Sequence, residues 1–245
     1  MEINTQRWEG VIKKPDWYLS IISELEIILQ QSLKLSESEK KRLKYKIYSF
    51  FEEHLNNDDI ALGNEIGIWD VGRKPIDTII IHHTELPSGL TKESLSAIEL
   101  LRLYARYYAK PYDERDATVS GKAISSGHVR NGKQVFYPYH WIVRMDGTTE
   151  RLLEDSEIGW HAGNWEVNRR SIAIVVDNDY NEARPEGVVL QSIAGLIHSY
   201  YKDVLKERIY GHCEVRFLGP TTCPSKLFLS KDAYRGWKED LLALV

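Results

Sequence analysis

Asp77-Thr78-Ile79-Ile80-Ile81-His82-His83-Thr84-Glu85 is the stretch that decides how the rest of the chain is read. Three consecutive isoleucines show no apolar–polar alternation, so the segment predicts a strand buried on both faces, as at the middle of a sheet. It ends on two imidazoles and a hydroxyl. Open α/β sheets bind their ligands beyond the carboxyl ends of the strands, where these side chains fall. Taken alone, two adjacent histidines fit one core imidazole beside one surface imidazole better than a functional site. The segments around them change that balance.

Upstream, Tyr18, Ile21, Ile22, Leu25, Ile28 and Leu29 recur at helical spacing from Asp16 onward. A second helix starts at Ser36, whose capping-box partner is Glu39, and carries Leu43, Ile47, Phe50 and Phe51 to about Asn56. With a turn at 33–35 the two form a helical hairpin. Residues 1–15 are expected to be poorly ordered, and 60–76 to be a linking segment. Downstream, a turn at 86–89 precedes a helix over 91–108, and an irregular surface loop is expected over 111–133. Met145-Asp146-Gly147 joins strands 135–144 and 148–153 into a hairpin. A buried strand at 171–176, a helix over 187–205, a short strand at 209–211 and a helix over 230–242 complete the chain. The expected fold class is α/β, a central mixed β-sheet flanked by helices with an N-terminal helical hairpin. The expected division is an N-terminal helical extension over 1–70, packed on a main domain over 71–245.

The 245 residues are 42% hydrophobic and 28% charged, with a formal net charge of −4. Such a balance excludes the large positive field of a bulk nucleic-acid or anionic-membrane binder. The basic cluster at 40–46 has Glu37 and Glu39 beside it and reads as a solvated helix face. No apolar run is long enough for a membrane span. The opening residues lack the basic-then-apolar order of a secretory signal, so a cytoplasmic location is expected, with release by lysis or a non-classical route as the alternative. Two cysteines, Cys213 and Cys223, make no disulfide framework.

Four predicted strand ends or turns carry residues that bind metals or move protons. They are His82, Tyr139-His140, His212, and Cys223 within Thr221-Thr222-Cys223-Pro224. Two imidazoles and a thiolate are competent zinc ligands, and a catalytic zinc keeps a fourth position for water. The three are far apart in sequence, so their spacing is no signature by itself.

These segments resemble the zinc-dependent N-acetylmuramoyl-L-alanine amidases, which include phage lysozyme-type amidases and the peptidoglycan recognition proteins. The resemblance spans about residues 76–230. It rests on Ile79 to Thr84, on Tyr139 to Gly147, and on Gly159-Trp160-His161-Ala162-Gly163-Asn164. It continues through Asn168 to Ile174, Gly211 to Val215, and Thr221 to Pro224. Six blocks in the family's order are more specific than any one of them.

The resemblance implies one Zn2+ ion held by His82, His212 and Cys223, with His83 pointing elsewhere. It implies a catalytic role for Tyr139 and Thr221, and substrate contacts from His161, Asn168 and Trp160. Trp165, Tyr137 and Trp141 are further candidates for stacking on sugars, and Arg169 or Arg170 for a peptide carboxylate. The implied reaction is hydrolysis of the amide between N-acetylmuramic acid and L-alanine in peptidoglycan or muropeptides. The alternative is a recognition module that binds peptidoglycan without cutting it; such proteins characteristically lack the cysteine ligand. The N-terminal helices are the expected docking element for any protein partner. Two departures stand out. Val175 occupies the place where muropeptide-recycling relatives carry a glutamate, and the segment from His212 to Cys223 is longer than in the recognition proteins.

Overall fold

The computed structural model describes residues 3–111, 118–217, 219–231 and 235–245. These form two compact units, each built from separated stretches of chain. One holds residues 1–68 and 91–136; the other holds 69–90 and 137–245. The N-terminal residues expected as an extension over 1–70 therefore share a unit with the segment that follows the turn at 86–89.

The first unit is mainly helical. Helix α1 (Thr5–Val11) lies where poor order was expected. Asn4 caps it through its side-chain oxygen, and Trp8 and Ile12 are fully buried. Two apolar residues in under two turns leave too little periodicity to be seen in sequence. Helices α2 (Trp17–Ser32) and α3 (Glu37–Asn56) follow. The Ser36–Glu39 capping box forms as expected. Trp17 and Phe51 meet with ring centroids 5.5 Å apart.

The helix expected over 91–108 is α4 (Lys92–Glu99), a π-helical stretch (Leu100–Ala105) and α5 (Arg106–Ala109). Of the loop expected over 111–133, residues 112–117 lie outside the described residues. Much of the remainder is not surface: Ile124, Ser125, Ser126 and His128 are buried. Gly63 and Gly67 donate to the carbonyls of Ile124 and Gly127, and Gln134 accepts from Ser126 N–H, so these buried backbone groups are paired within the protein. Strands β2 (Val129–Arg130) and β3 (Lys133–Gln134) close a small hairpin on Asn131-Gly132.

The second unit is built on a five-stranded sheet ordered β5-β4-β6-β1-β7. Its members are β1 (Thr78–His83), β4 (Trp141–Val143), β5 (Thr149–Arg151), β6 (Ser171–Val176) and β7 (Ile209–Gly211). All neighbours run parallel except β5, which returns antiparallel from β4, so the sheet is mixed as expected. One face packs Ile79, Ile81, Ile172, Ile174 and Val176 into a core with α7 (Gly187–Tyr200) and α9 (Trp237–Leu244). The opposite face carries Ile80, His82, Ser171, Ala173 and Val175, since side chains alternate along a strand. Burying each isoleucine contributes about 1.5–3 kcal/mol, so a one-residue slip that exchanged the faces is strongly disfavoured. That register is what presents His82 on the site face.

Two helices differ from expectation. Helix α7 stops at Tyr200 instead of 205, because Tyr201 leaves helical geometry and turns inward, where its hydroxyl accepts from Trp141 Nε1 at 2.7 Å. Helix α9 begins at Trp237 instead of 230; residues 232–234 of the expected helix lie outside the described residues, and Ser230 Oγ accepts from Gly236 N–H at 2.8 Å. No helix among the described residues is long and apolar enough to cross a membrane.

Candidate metal centre

Three chain segments reach the site face of the sheet. β1 delivers His82, which is 1% exposed. β7 ends at Gly211, and His212 opens the short helix α8 (His212–Val215). The Cys223 carbonyl accepts from Cys213 N–H at 2.8 Å, which ties the third segment to the second. Gly211 makes the close approach: a Cβ there would lie 2.5 Å from the Phe228 ring and 2.8 Å from Pro224 Cδ.

One ligand atom from each of His82, His212 and Cys223 lies within 4.8 Å of the other two. His82 Nδ1 stands 3.7 Å from Cys223 Sγ, and the His82 and His212 ring centroids are 4.7 Å apart. Zinc bonds of about 2.0–2.3 Å in a tetrahedral set call for this ligand-to-ligand spacing. His212 Nε2 is buried and has no hydrogen-bond partner among the described residues. The donor set therefore fits a zinc ion: soft sulfur, two imidazoles, and a separation that one ion can span.

Electrostatics favour lone pairs over protons here. Burial, then neighbouring His212 and His161, hold the His82 pKa well below the ordinary histidine value. Burial and the Arg216 guanidinium lower His212 to about 4, against a carbonyl of Ala162 that favours its charged form. Neutral imidazole is the form that binds metal.

A sequence profile of the family described as N-acetylmuramoyl-L-alanine amidase matches residues 72–226. The chain belongs to that family. The matched span contains His82, Tyr139, His161, His212 and Cys223 together. Among solved structures, the amidase LysC from Clostridium intestinale URNW is 20% identical, covering 70% of this chain and 85% of its own, at a TM-score of 0.45. A selenomethionine AmpD derivative is 16% identical over 74% and 89%, at 0.44. Drosophila peptidoglycan recognition protein SD is 17% identical over 62% and 76%, at 0.39. No curated protein matches the sequence.

The other residues singled out from this amidase sequence fall at varied places. Tyr139 is buried, its ring centroid 5.1 Å from that of His82. Thr221 Oγ1 accepts from Cys223 N–H at 3.2 Å. His161 is 6% exposed; its Nδ1 is 3.0 Å from His82 Nε2 and its Nε2 is 3.0 Å from Ser171 Oγ. Asn168 is buried, and its Oδ1 accepts from Ala162 N–H at 2.8 Å. Trp160 is half-buried, stacked at 5.3 Å on Trp165, which opens helix α6 (Trp165–Asn168), and edge-on to Trp69 at 5.6 Å. His83 points elsewhere, as expected: its Nδ1 accepts from Tyr180 N–H at 3.0 Å.

Trp141 is not a groove residue. It belongs to the α7 core, with the Arg151 guanidinium 4.6 Å from its ring centroid. Arg169 and Arg170 face Glu166 and Asp77.

Two contributors, Arg73 and Ser171, were not read from sequence, and a third, His140, was read only as a residue at a strand end able to bind metal or move protons. His140 is fully buried; its Nδ1 accepts from Ala173 N–H, so the proton sits on Nε2, which donates to the Glu157 carbonyl at 3.0 Å. Arg73, within the segment read as a linker, donates to the carbonyls of Asp155, Asn168 and Ser171. Ser171 was read only as the start of a strand. Periodicity carries no signal for any of these hydrogen bonds.

Proposed function

We propose that this protein is a zinc-dependent amidase that cleaves the amide joining N-acetylmuramic acid to L-alanine in peptidoglycan or muropeptides. One observation carries the reading: two neutral imidazoles and a cysteine sulfur converge within 4.8 Å on the site face of the sheet. His82, His212 and Cys223 would hold one zinc ion. Bound there, zinc would supply Lewis-acid polarisation of the scissile carbonyl and lower the pKa of an attacking water.

The chain's own groups supply the rest. Tyr139 packs against His82 and is the hydroxyl donor for charge developing on the carbonyl oxygen. Thr221 fixes the backbone of the cysteine ligand through its Oγ1 and keeps a hydroxyl hydrogen to orient water. Trp160 and Trp165 offer aromatic surface for a sugar ring, Trp165 being 38% exposed. The cysteine favours hydrolysis over the binding-only alternative.

The test is mass spectrometry of intact sacculi and of soluble muropeptides after incubation, with and without a zinc chelator. Chelator-sensitive release of stem peptides with a free L-alanine amino terminus is the expected product pattern. Peptide binding without release would favour the recognition reading, and release that persists in chelator would overturn the zinc assignment.

A further inference from the structure

The proposed ligand His82 is one member of a chain of three buried side chains. Its Nδ1 faces Cys223 Sγ at 3.7 Å, so a metal in that position requires Nδ1 without a proton. The single proton of the neutral ring is then on Nε2, 3.0 Å from His161 Nδ1. His161 Nδ1 must accept, which puts the His161 proton on Nε2, 3.0 Å from Ser171 Oγ. Each step fixes the tautomer of the next.

The chain is anchored at its far end. Ser171 is fully buried and is the register partner of Thr78, two pairs along β1 and β6 from the ladder position of Ile80 and four from that of His82. Arg73 Nη1 donates to the Ser171 carbonyl at 3.0 Å and to the Asn168 carbonyl at 3.1 Å. Asn168 Oδ1 in turn holds Ala162 N–H, next to His161. The His161 imidazole is thus pinned from its own loop and from the strand beneath it.

We infer that His161 is a positioning residue for the metal centre: accepting from His82 Nε2–H, it orients the ligand and keeps the Nδ1 lone pair aimed at the ion, with Ser171 Oγ accepting from His161 Nε2–H. The inference rests on the zinc reading above. It replaces the substrate contact that resemblance implies for His161, because both ring nitrogens are already engaged inside the protein. Partners of this kind, one hydrogen bond behind a metal ligand, typically govern about 10–100-fold in metal affinity.

The test uses the full chain and reads zinc affinity by competition with a chromophoric chelator, beside thermal unfolding of the metal-free protein. His161→Leu keeps the bulk and removes the acceptor; His161→Gln restores a carbonyl acceptor; Ser171→Ala removes only the last member. The expected result is zinc binding weakened about 10–100-fold in His161→Leu, largely recovered in His161→Gln, and weakened less in Ser171→Ala. The d–d absorption of cobalt-loaded His161→Leu should also depart from wild type. Wild-type affinity in a folded His161→Leu overturns the inference, as do equal losses in the Leu and Gln variants, which would mark a packing role. Wild-type protein that takes up no zinc overturns the metal reading itself and this inference with it.

Discussion

Val175 is the register partner of His82, so the two side chains stand next to each other on one face of neighbouring parallel strands. Val175 is fully buried and apolar. Relatives that recycle muropeptides have a carboxylate in this place; here no base stands beside the imidazole on that strand. On the proposed reading, proton transfer to the departing amine would fall to groups on other segments, with Tyr139, packed 5.1 Å from the His82 ring, or water held by Thr221 as the candidates. Replacing Tyr139 by Phe should lower turnover by about 10²–10³ while zinc content stays at the wild-type level. Steady-state rates on a purified muropeptide, paired with elemental analysis, check it. Undiminished turnover with zinc bound would remove Tyr139 from the reaction.

Gly211 permits the contact that brings His212 and Cys223 together. Its added Cβ would sit 2.5 Å from the Phe228 ring and 2.8 Å from Pro224 Cδ, and Pro224 follows Cys223 directly. Phe228 is fully buried and packed against Trp237 at 4.5 Å, so it has little room to yield. Gly211→Ala should therefore displace the cysteine segment, weaken zinc binding by at least tenfold and cost about 1–3 kcal/mol of stability. Zinc titration and urea unfolding read the two effects separately.

Acidification should destabilise the metal-free protein over a defined window. The folded-state pKa of His212 lies at about 4, and those of His82 and His161 lie well below the ordinary value. Between the unfolded histidine value of about 6.5 and those depressed values, the unfolded chain binds more protons than the folded one. Stability is fully present above about pH 6.5 and is lost as the pH falls towards 4. Urea midpoints of metal-free protein from pH 7.5 to 4.5 should fall, and His212→Asn should flatten the profile. An unchanged slope in that variant would show that His212 is not the group responsible.

Asp177 follows the end of β6 and is 1% exposed. Its Oδ2 accepts from Arg144 Nη1 and from Gly89 N–H, both at 2.9 Å, which fastens the turn after β1. Removing one member of a buried pair typically costs about 3–5 kcal/mol. Arg144 keeps a second partner in Glu150, so Asp177→Ala should fall near the lower end, about 3 kcal/mol. Urea denaturation decides it; a loss below about 1 kcal/mol would mean the ion pair is solvated like a surface one.

The strands of the second unit were legible because their signals are local, although the hairpin strands expected over 135–144 and 148–153 shorten to Trp141–Val143 and Thr149–Arg151. Ile79 to Ile81 and Ile172 to Val176 read directly as buried strands, and Asp146-Gly147 as their neighbouring turn. Ser36 and Glu39 likewise announced a helix start. A helix boundary set by a tertiary contact was not legible: Tyr201 leaves α7 to meet Trp141, a partner distant in sequence. The buried 124–128 segment looked like a loop because its partners, Gly63 and Gly67, satisfy backbone groups that composition cannot report. His82, His212 and Cys223 stood out as possible zinc ligands at predicted strand ends and turns, resemblance joined them into one set, and the 4.8 Å convergence adds what no spacing contained. The supporting roles of His140, Arg73 and Ser171 were not legible, since each acts through hydrogen bonds to groups outside its own segment.

X-ray absorption at the zinc edge of protein loaded with one equivalent of zinc tests the central claim most directly. A coordination shell with one sulfur at about 2.3 Å and nitrogen or oxygen neighbours at about 2.0–2.1 Å is the predicted result, with the sulfur lost in Cys223→Ser. A shell without sulfur in the wild-type protein, or a sulfur that persists in Cys223→Ser, would contradict the account.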